Sequence, residues 1–232
     1  MMKINKIITL FTLASFSASG QEILFEKDPA IDTTIEKKGP NRKNFTHPFI
    51  SFALAIDAGE KGATVVQPNL DQFAIGFRYK RRLNNTFSVG FECSYTNYAF
   101  SIKQNNQKTT PDSTINQRQR LYFYDVQLGA YFRINVGKRG NILGNYFDIA
   151  PYSEAVVAFT EFSKYKLPDG SVVRARRSGI DYFQRFNYGI QARIGLKKLI
   201  FFGQYRISNA FYGDKNLAEI PRITAGIQFV LK

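Results

Sequence analysis

The sequence predicts an all-β fold, an eight-stranded antiparallel up-and-down transmembrane β-barrel, and three observations point to it. Apolar and polar residues alternate with a period of two in segment after segment from Phe49 onward. Short and long connections alternate strictly between those segments. Charges of both signs share the polar face with recurring glycines.

The first twenty residues read as a secretory signal peptide. Lys3 and Lys6 form a positive n-region, Ile7 to Phe16 a short apolar run, and Ala18-Ser19-Gly20 a small-residue cleavage site before Gln21. The run is too short to span a bilayer as a helix, and no Cys follows it to carry a lipid anchor. Residues 21–47 are polar and charged and are interrupted by Pro29, Gly39 and Pro40, which reads as a flexible periplasmic lead-in. The barrel itself is expected over residues 48–232.

Strand one alternates Ile50, Phe52, Leu54 and Ile56 with Ser51, Ala53, Ala55 and Asp57. In strand two, Phe73, Ile75, Phe77 and Tyr79 oppose Gln72, Ala74, Gly76, Arg78 and Lys80. Strand three sets Phe87, Val89, Phe91, Cys93 and Tyr95 against Ser88, Gly90, Glu92, Ser94 and Thr96. Strand four runs from Tyr122 to Val136, with Asp125, Gln127, Gly129, Arg133 and Asn135 on its polar face. Strand five, between Phe147 and Phe159, contains Pro151, which predicts a bulge or an irregular turn in register. Strand six places Tyr182, Phe186, Tyr188, Ile190, Ala192, Ile194 and Leu196 on one face, and Arg185, Asn187, Gly189, Gln191, Arg193 and Gly195 on the other. Strand seven runs from Leu199 to Ser208 with Gln204 and Arg206 on its polar face, and strand eight from Ile223 to Lys232.

Tight turns are expected at Asn84-Asn85, Gly137 to Asn141 and Leu196 to Lys198. The other connections are long and polar: Gly59 to Asn69, Lys103 to Gln119, Ser163 to Asp181 and Asn209 to Pro221. An even strand number with this sorting places both ends of the barrel in the periplasm.

Apolar alternation also fits a soluble lipocalin-like ligand binder, in which the apolar face looks inward. The charges argue for the opposite orientation. An inward network of Glu92, Asp125, Asp148 and Glu154 with Arg78, Arg133, Arg185, Arg193 and Arg206 can pair internally. Facing lipid, each Arg or Lys would cost about 2–4 kcal/mol at mid-bilayer. Tyr79, Tyr95, Tyr122, Tyr124, Tyr182 and Tyr205 sit near segment ends, where aromatic girdles belong. A lumen filled with ion pairs excludes a general porin.

The formal charge of +14 falls to +12 once Lys3 and Lys6 are removed. In an exported protein the anionic counterpart is a membrane surface, and no nucleic-acid partner is expected. Cys93, the single cysteine, sits among the outward apolar positions and reads as a small hydrophobe.

Two stretches carry a family resemblance. Gly203-Gln204-Tyr205-Arg206-Ile207-Ser208-Asn209-Ala210-Phe211, with Glu219 to Phe229, resembles the closing hairpin of PorT-like outer-membrane β-barrel proteins. Tyr146 to Glu154 is similar to that family's fifth strand. The resemblance implies a Gram-negative outer-membrane location, insertion by the barrel-insertion machinery, and a link to protein secretion. The chain closes on Phe229-Val230-Leu231-Lys232 and so departs from a terminal aromatic residue.

No catalytic set is expected. His47 is the single histidine and reads as an exposed residue where strand one begins. One His and one Cys far apart form no metal cluster, and no cofactor is implied. Glu92 with Asp125, or Asp148 with Glu154, read as lumen ion-pair partners before they read as acid–base pairs. The expected function is therefore a non-enzymatic outer-membrane barrel that contacts lipids and envelope or secretion proteins through its loops or periplasmic face. The alternative is a lipid-modifying barrel enzyme.

Overall fold

The computed structural model describes residues 39–137 and 142–231. The expected signal peptide, residues 21–38 of the lead-in and most of the Gly137 to Asn141 turn lie outside the described residues.

Period-two patterning produces nine antiparallel strands and, among the described residues, no α-helix. They are β1 (Asn44–Ala55), β2 (Gln72–Arg82), β3 (Phe87–Ile102), β4 (Arg118–Val136), β5 (Asn145–Lys166), β6 (Val172–Ser178), β7 (Phe186–Leu196), β8 (Leu199–Arg206) and β9 (Ile223–Val230). A 3-10 turn occupies Gly213–Lys215. Eight strands close into a ring in the order β1-β2-β3-β4-β5-β7-β8-β9, with β9 pairing back onto β1. All eight predicted strands are present in it. Short links gather at one end of the ring (the turn end) and long ones at the other (the loop end).

The faces are inverted relative to a water-soluble protein. On β7 the burial alternates at every residue, with Asn187, Gln191 and Arg193 buried while Tyr188 is 56% and Ile190 43% exposed. Phe77, Phe91, Leu128, Phe201 and Phe229 face outward on other strands, as does Cys93. Apolar side chains thus point away from the ring and polar ones into it, the reverse of a lipocalin-like arrangement.

Four expectations need correction. Strand one begins at Asn44 rather than Phe49, so residues 44–47 of the expected lead-in are strand; Asn41 just ahead accepts a hydrogen bond from Arg82 Nη1 at 2.9 Å. The supposed loop from Ser163 to Asp181 contains the end of β5 and all of β6, which pair from Thr160↔Ser178 to Lys166↔Val172. Phe162, Tyr165, Val172 and Val173 supply β-forming residues there that the surrounding charges conceal. Pro151 causes no bulge. Gly129↔Tyr152 and Phe132↔Ile149 keep one frame across it, and it sits outward opposite Ile190. The irregularity comes six residues later, where Asp125 pairs with Val156 but Tyr124 with Ala158, leaving Val157 as the extra residue. Finally, Tyr182 precedes β7, and its ring packs inward on Phe159 at 5.5 Å instead of joining an outer girdle.

Three tyrosines explain much of the glycine on the polar face. Tyr131, Tyr152 and Tyr146 point inward directly opposite Gly90, Gly189 and Gly195 on the neighbouring strand. A Cβ at Gly189 would lie 2.5 Å from Tyr152 Oη, and one at Gly195 would lie inside the Tyr146 ring's contact shell. Each glycine clears the ground its partner's ring covers.

Candidate functional site

The lumen is the most elaborately built part of the molecule, and it is layered. At the turn end Leu143, Tyr146, Ile200 and Val230 form a small apolar floor against Phe45. Above it lies a chain of five fully buried charges. Cross-strand pairing puts Arg78 beside Glu92, Arg133 beside Asp148, and Asp148 beside Arg193. Arg78 donates to Glu92 from Nε at 2.9 Å and Nη2 at 2.8 Å. Arg133 donates to both oxygens of Asp148, at 2.7 and 2.8 Å. Arg193 reaches across the lumen to Glu92 through Nη1 while its Nε lies 3.3 Å from Asp148. The result is one connected chain, Arg78–Glu92–Arg193–Asp148–Arg133, spanning β2, β3, β4, β5 and β7.

The chain contains three cations and two anions. Aromatic faces take up part of the excess charge. Tyr131 lies between 5.1 and 5.7 Å from all three guanidinium carbons, Tyr146 lies 3.4 Å from that of Arg133, and Phe49 lies 5.0 Å from that of Arg78. Arg78 Nη2 also donates to Gln228 at 2.8 Å.

Gln72, Gln127, Gln191 and Gln228 form the next layer, around a void of only about 10 Å³. Toward the loop end, Asp125, Glu154 and Arg206 line a cavity of about 30 Å³, comparable with one or two water molecules. Glu154 accepts from Tyr98 Oη at 2.6 Å and Gln204 Nε2 at 3.2 Å. Arg206 turns instead to Glu219, 3.1 Å away, and to the Ser208 carbonyl at 2.8 Å. Glu219 also accepts from the backbone N–H of Ala210 at 3.0 Å, so one buried carboxylate fastens the β8–β9 loop to the ring.

An aromatic plug closes the loop end. Phe100, Phe123, Phe159, Phe183 and Phe211 are buried in one cluster with Leu121 and Ile220. Phe123 and Phe159 approach to 4.7 Å, and Phe159 and Phe183 to 4.9 Å. Burial, ahead of nearby Glu161, pushes the Tyr182 hydroxyl well above its ordinary value.

Eight of the nine predicted network residues therefore lie inside the ring, in two groups instead of one: Arg78, Glu92, Arg133, Asp148 and Arg193 near the turn end, and Asp125, Glu154 and Arg206 near the loop end. Arg185 does not join them. It is exposed and precedes β7, and its carbonyl accepts from the Val156 N–H at 2.8 Å. The carboxylate neighbours are Asp125 and Glu154, not Glu92 with Asp125 or Asp148 with Glu154. His47 is not exposed. It is 2% accessible, stacks on Phe45 at 5.0 Å, and lines a recess of about 740 Å³ at the turn end with Pro48, Leu143, Lys198 and Leu231. Sequence reasoning missed Glu219 and the inward tyrosines. Tyr131 and Tyr152 did carry a signal, since each falls on the polar parity of its strand.

Among the described residues no three His, Cys, Asp or Glu side chains converge as metal ligands would. No protein-family model matches the chain, and no curated protein matches it.

Proposed function

We propose that this chain is a closed transmembrane β-barrel of a Gram-negative outer membrane. It acts without catalysis, as a membrane-held platform for protein partners in secretion or envelope maintenance. One observation carries the reading: the ring exposes its apolar side chains and buries its charges. Monomeric soluble proteins rarely leave contiguous apolar patches beyond a few hundred Å² uncovered. Here outward Phe, Ile, Leu and Tyr side chains recur on strand after strand around the ring. Acyl chains are the solvent that such a surface suits.

The lumen supports the non-conducting part of the proposal. Its charge chain, glutamine layer and aromatic plug follow one another along the axis, and the two voids among these layers are of water size. The parts available to partners are the loop end, with its β5–β6 hairpin, and the turn end. Membership of the PorT-like group is proposed on the closing-hairpin and fifth-strand segments alone.

The test is purification with and without detergent, followed by planar-bilayer recordings and cross-linking in intact cells. The protein should require detergent, show heat-modifiable mobility on gels, pass no resolvable current and cross-link to envelope proteins. A monodisperse preparation in plain buffer would overturn the proposal.

A further inference from the structure

The β5–β6 hairpin extends beyond the ring, and the end of β4 completes a three-stranded sheet with it. Residues directly opposite each other across strands share a face. One cross-strand row of this sheet reads Arg118–Lys164–Arg174, and the adjacent row reads Arg120–Phe162–Arg176. Lys166 lies on the same face two residues beyond Lys164. Six cations thus share one face with no acidic residue on it. Among the described residues none of them forms an ion pair with a carboxylate within 4 Å; Arg120 donates to Ser101 Oγ at 2.8 Å and its charge also acts on the Asp71 carboxylate. The nearby carboxylates are otherwise engaged. Glu161 points to the opposite, buried face and accepts from Gln119 at 2.6 Å, and Asp169 at the hairpin tip accepts from the Ser171 N–H at 2.8 Å.

Like charges directly opposite on a sheet repel. A row of three cations therefore favours counter-anions supplied from outside. The position of the face says which anions. On β4, Tyr124 and Tyr122 lie on the outward parity, and Arg120 and Arg118 continue it toward the loop end. Arg118 is four residues past Tyr122, which in a tilted strand is about 10 Å farther along the ring axis. An apolar belt, then tyrosines, then rows of cations on one continuous outer surface is the order of acyl chain, interface and phosphate.

We propose that this face binds the phosphate groups of outer-leaflet lipids, so that the hairpin lies against the headgroup layer. The inference rests on the membrane reading given above. It adds a lipid class and a site to it.

The test uses the full chain folded in detergent and the substitutions R118Q, K164Q, R174Q and R176Q together. Native mass spectrometry would count bound bis-phosphorylated lipid A against the dephosphorylated lipid with the same acyl chains. Wild type should retain the phosphorylated form preferentially, and the variant should bind it about a hundredfold more weakly or worse. In the absence of lipid the variant should unfold at the same temperature or higher, because four mutually repelling charges are gone. Equal binding of the two lipids by wild type, or equal binding by wild type and variant, would overturn the inference while leaving the barrel intact. Binding of polyglutamate in place of lipid would also overturn it and assign the face to an acidic protein. Failure to enter micelles at all would remove the barrel reading first, and this one with it.

Discussion

Arg133 on β4 grips Asp148 on β5 through two parallel hydrogen bonds of 2.7 and 2.8 Å, and neither side chain is reached by solvent. Bidentate geometry is the strongest form such a pair takes. Arg193 flanks Asp148 from the other side, so a single carboxylate serves two buried guanidiniums on either side of its own strand.

Removing that carboxylate should therefore cost more than a typical core substitution. D148N leaves Arg133 without a carboxylate in a low-dielectric lumen and should destabilise the folded protein by about 3–5 kcal/mol. Urea unfolding followed by circular dichroism reads this. The paired change R133M/D148L removes both charges and should recover most of the loss. Equal destabilisation by the single and double variants would show that the pair itself is not what holds β4 to β5.

The tyrosine-over-glycine pairs predict a sharp positional contrast. G189A drives a methyl group against Tyr152 and should cost about 1–3 kcal/mol. G203A meets no heavy atom within 4 Å and should be close to neutral. Thermal melts of the two variants, measured side by side, separate crowding from any general effect of glycine in strands.

The outward face carries a prediction tied to the membrane proposal. I190R places a charge where the ring is apolar and should lower stability in bilayer vesicles by about 2–4 kcal/mol. Folding titrations into vesicles give the number. A value near zero would mean that position 190 does not contact hydrocarbon.

Glu219 predicts a local effect. E219Q weakens the ion pair to Arg206 and the acceptor for the Ala210 N–H. The β8–β9 loop should then be cut by protease several-fold faster, while the ring's unfolding midpoint changes little. Limited proteolysis timed by mass spectrometry distinguishes the two.

The ring was legible because its signal is local: each strand states its own parity, and loop lengths sort the ends. The inward set was legible for the same reason, since Arg78, Glu92, Arg133, Asp148 and Arg193 each fall on the polar parity of a well-patterned strand. What the residues conceal is non-local. Arg185 shares the parity of Arg193 but lies ahead of β7, where the chain has left the alternation. The plug was hidden because Phe100, Phe123 and Phe159 stand on inward positions that the polar pattern assigns to hydrophilic side chains. Strand β6 was hidden because Arg174, Arg176 and Arg177 make a paired strand read as a solvated loop.

Val157 has a consequence for how this chain can change over time. Upstream of it β5 turns even-numbered residues into the lumen (Asp148, Glu154), and downstream it turns odd-numbered ones (Phe159, Glu161). Losing that one residue would join the two halves in a single register, with Phe159 still inside and Lys164 and Lys166 still outside. A single deletion in β5 is therefore silent at Val157 and more damaging the farther from it, because every residue between the lost one and Val157 changes face, a rule that diverging descendants of this sequence must obey.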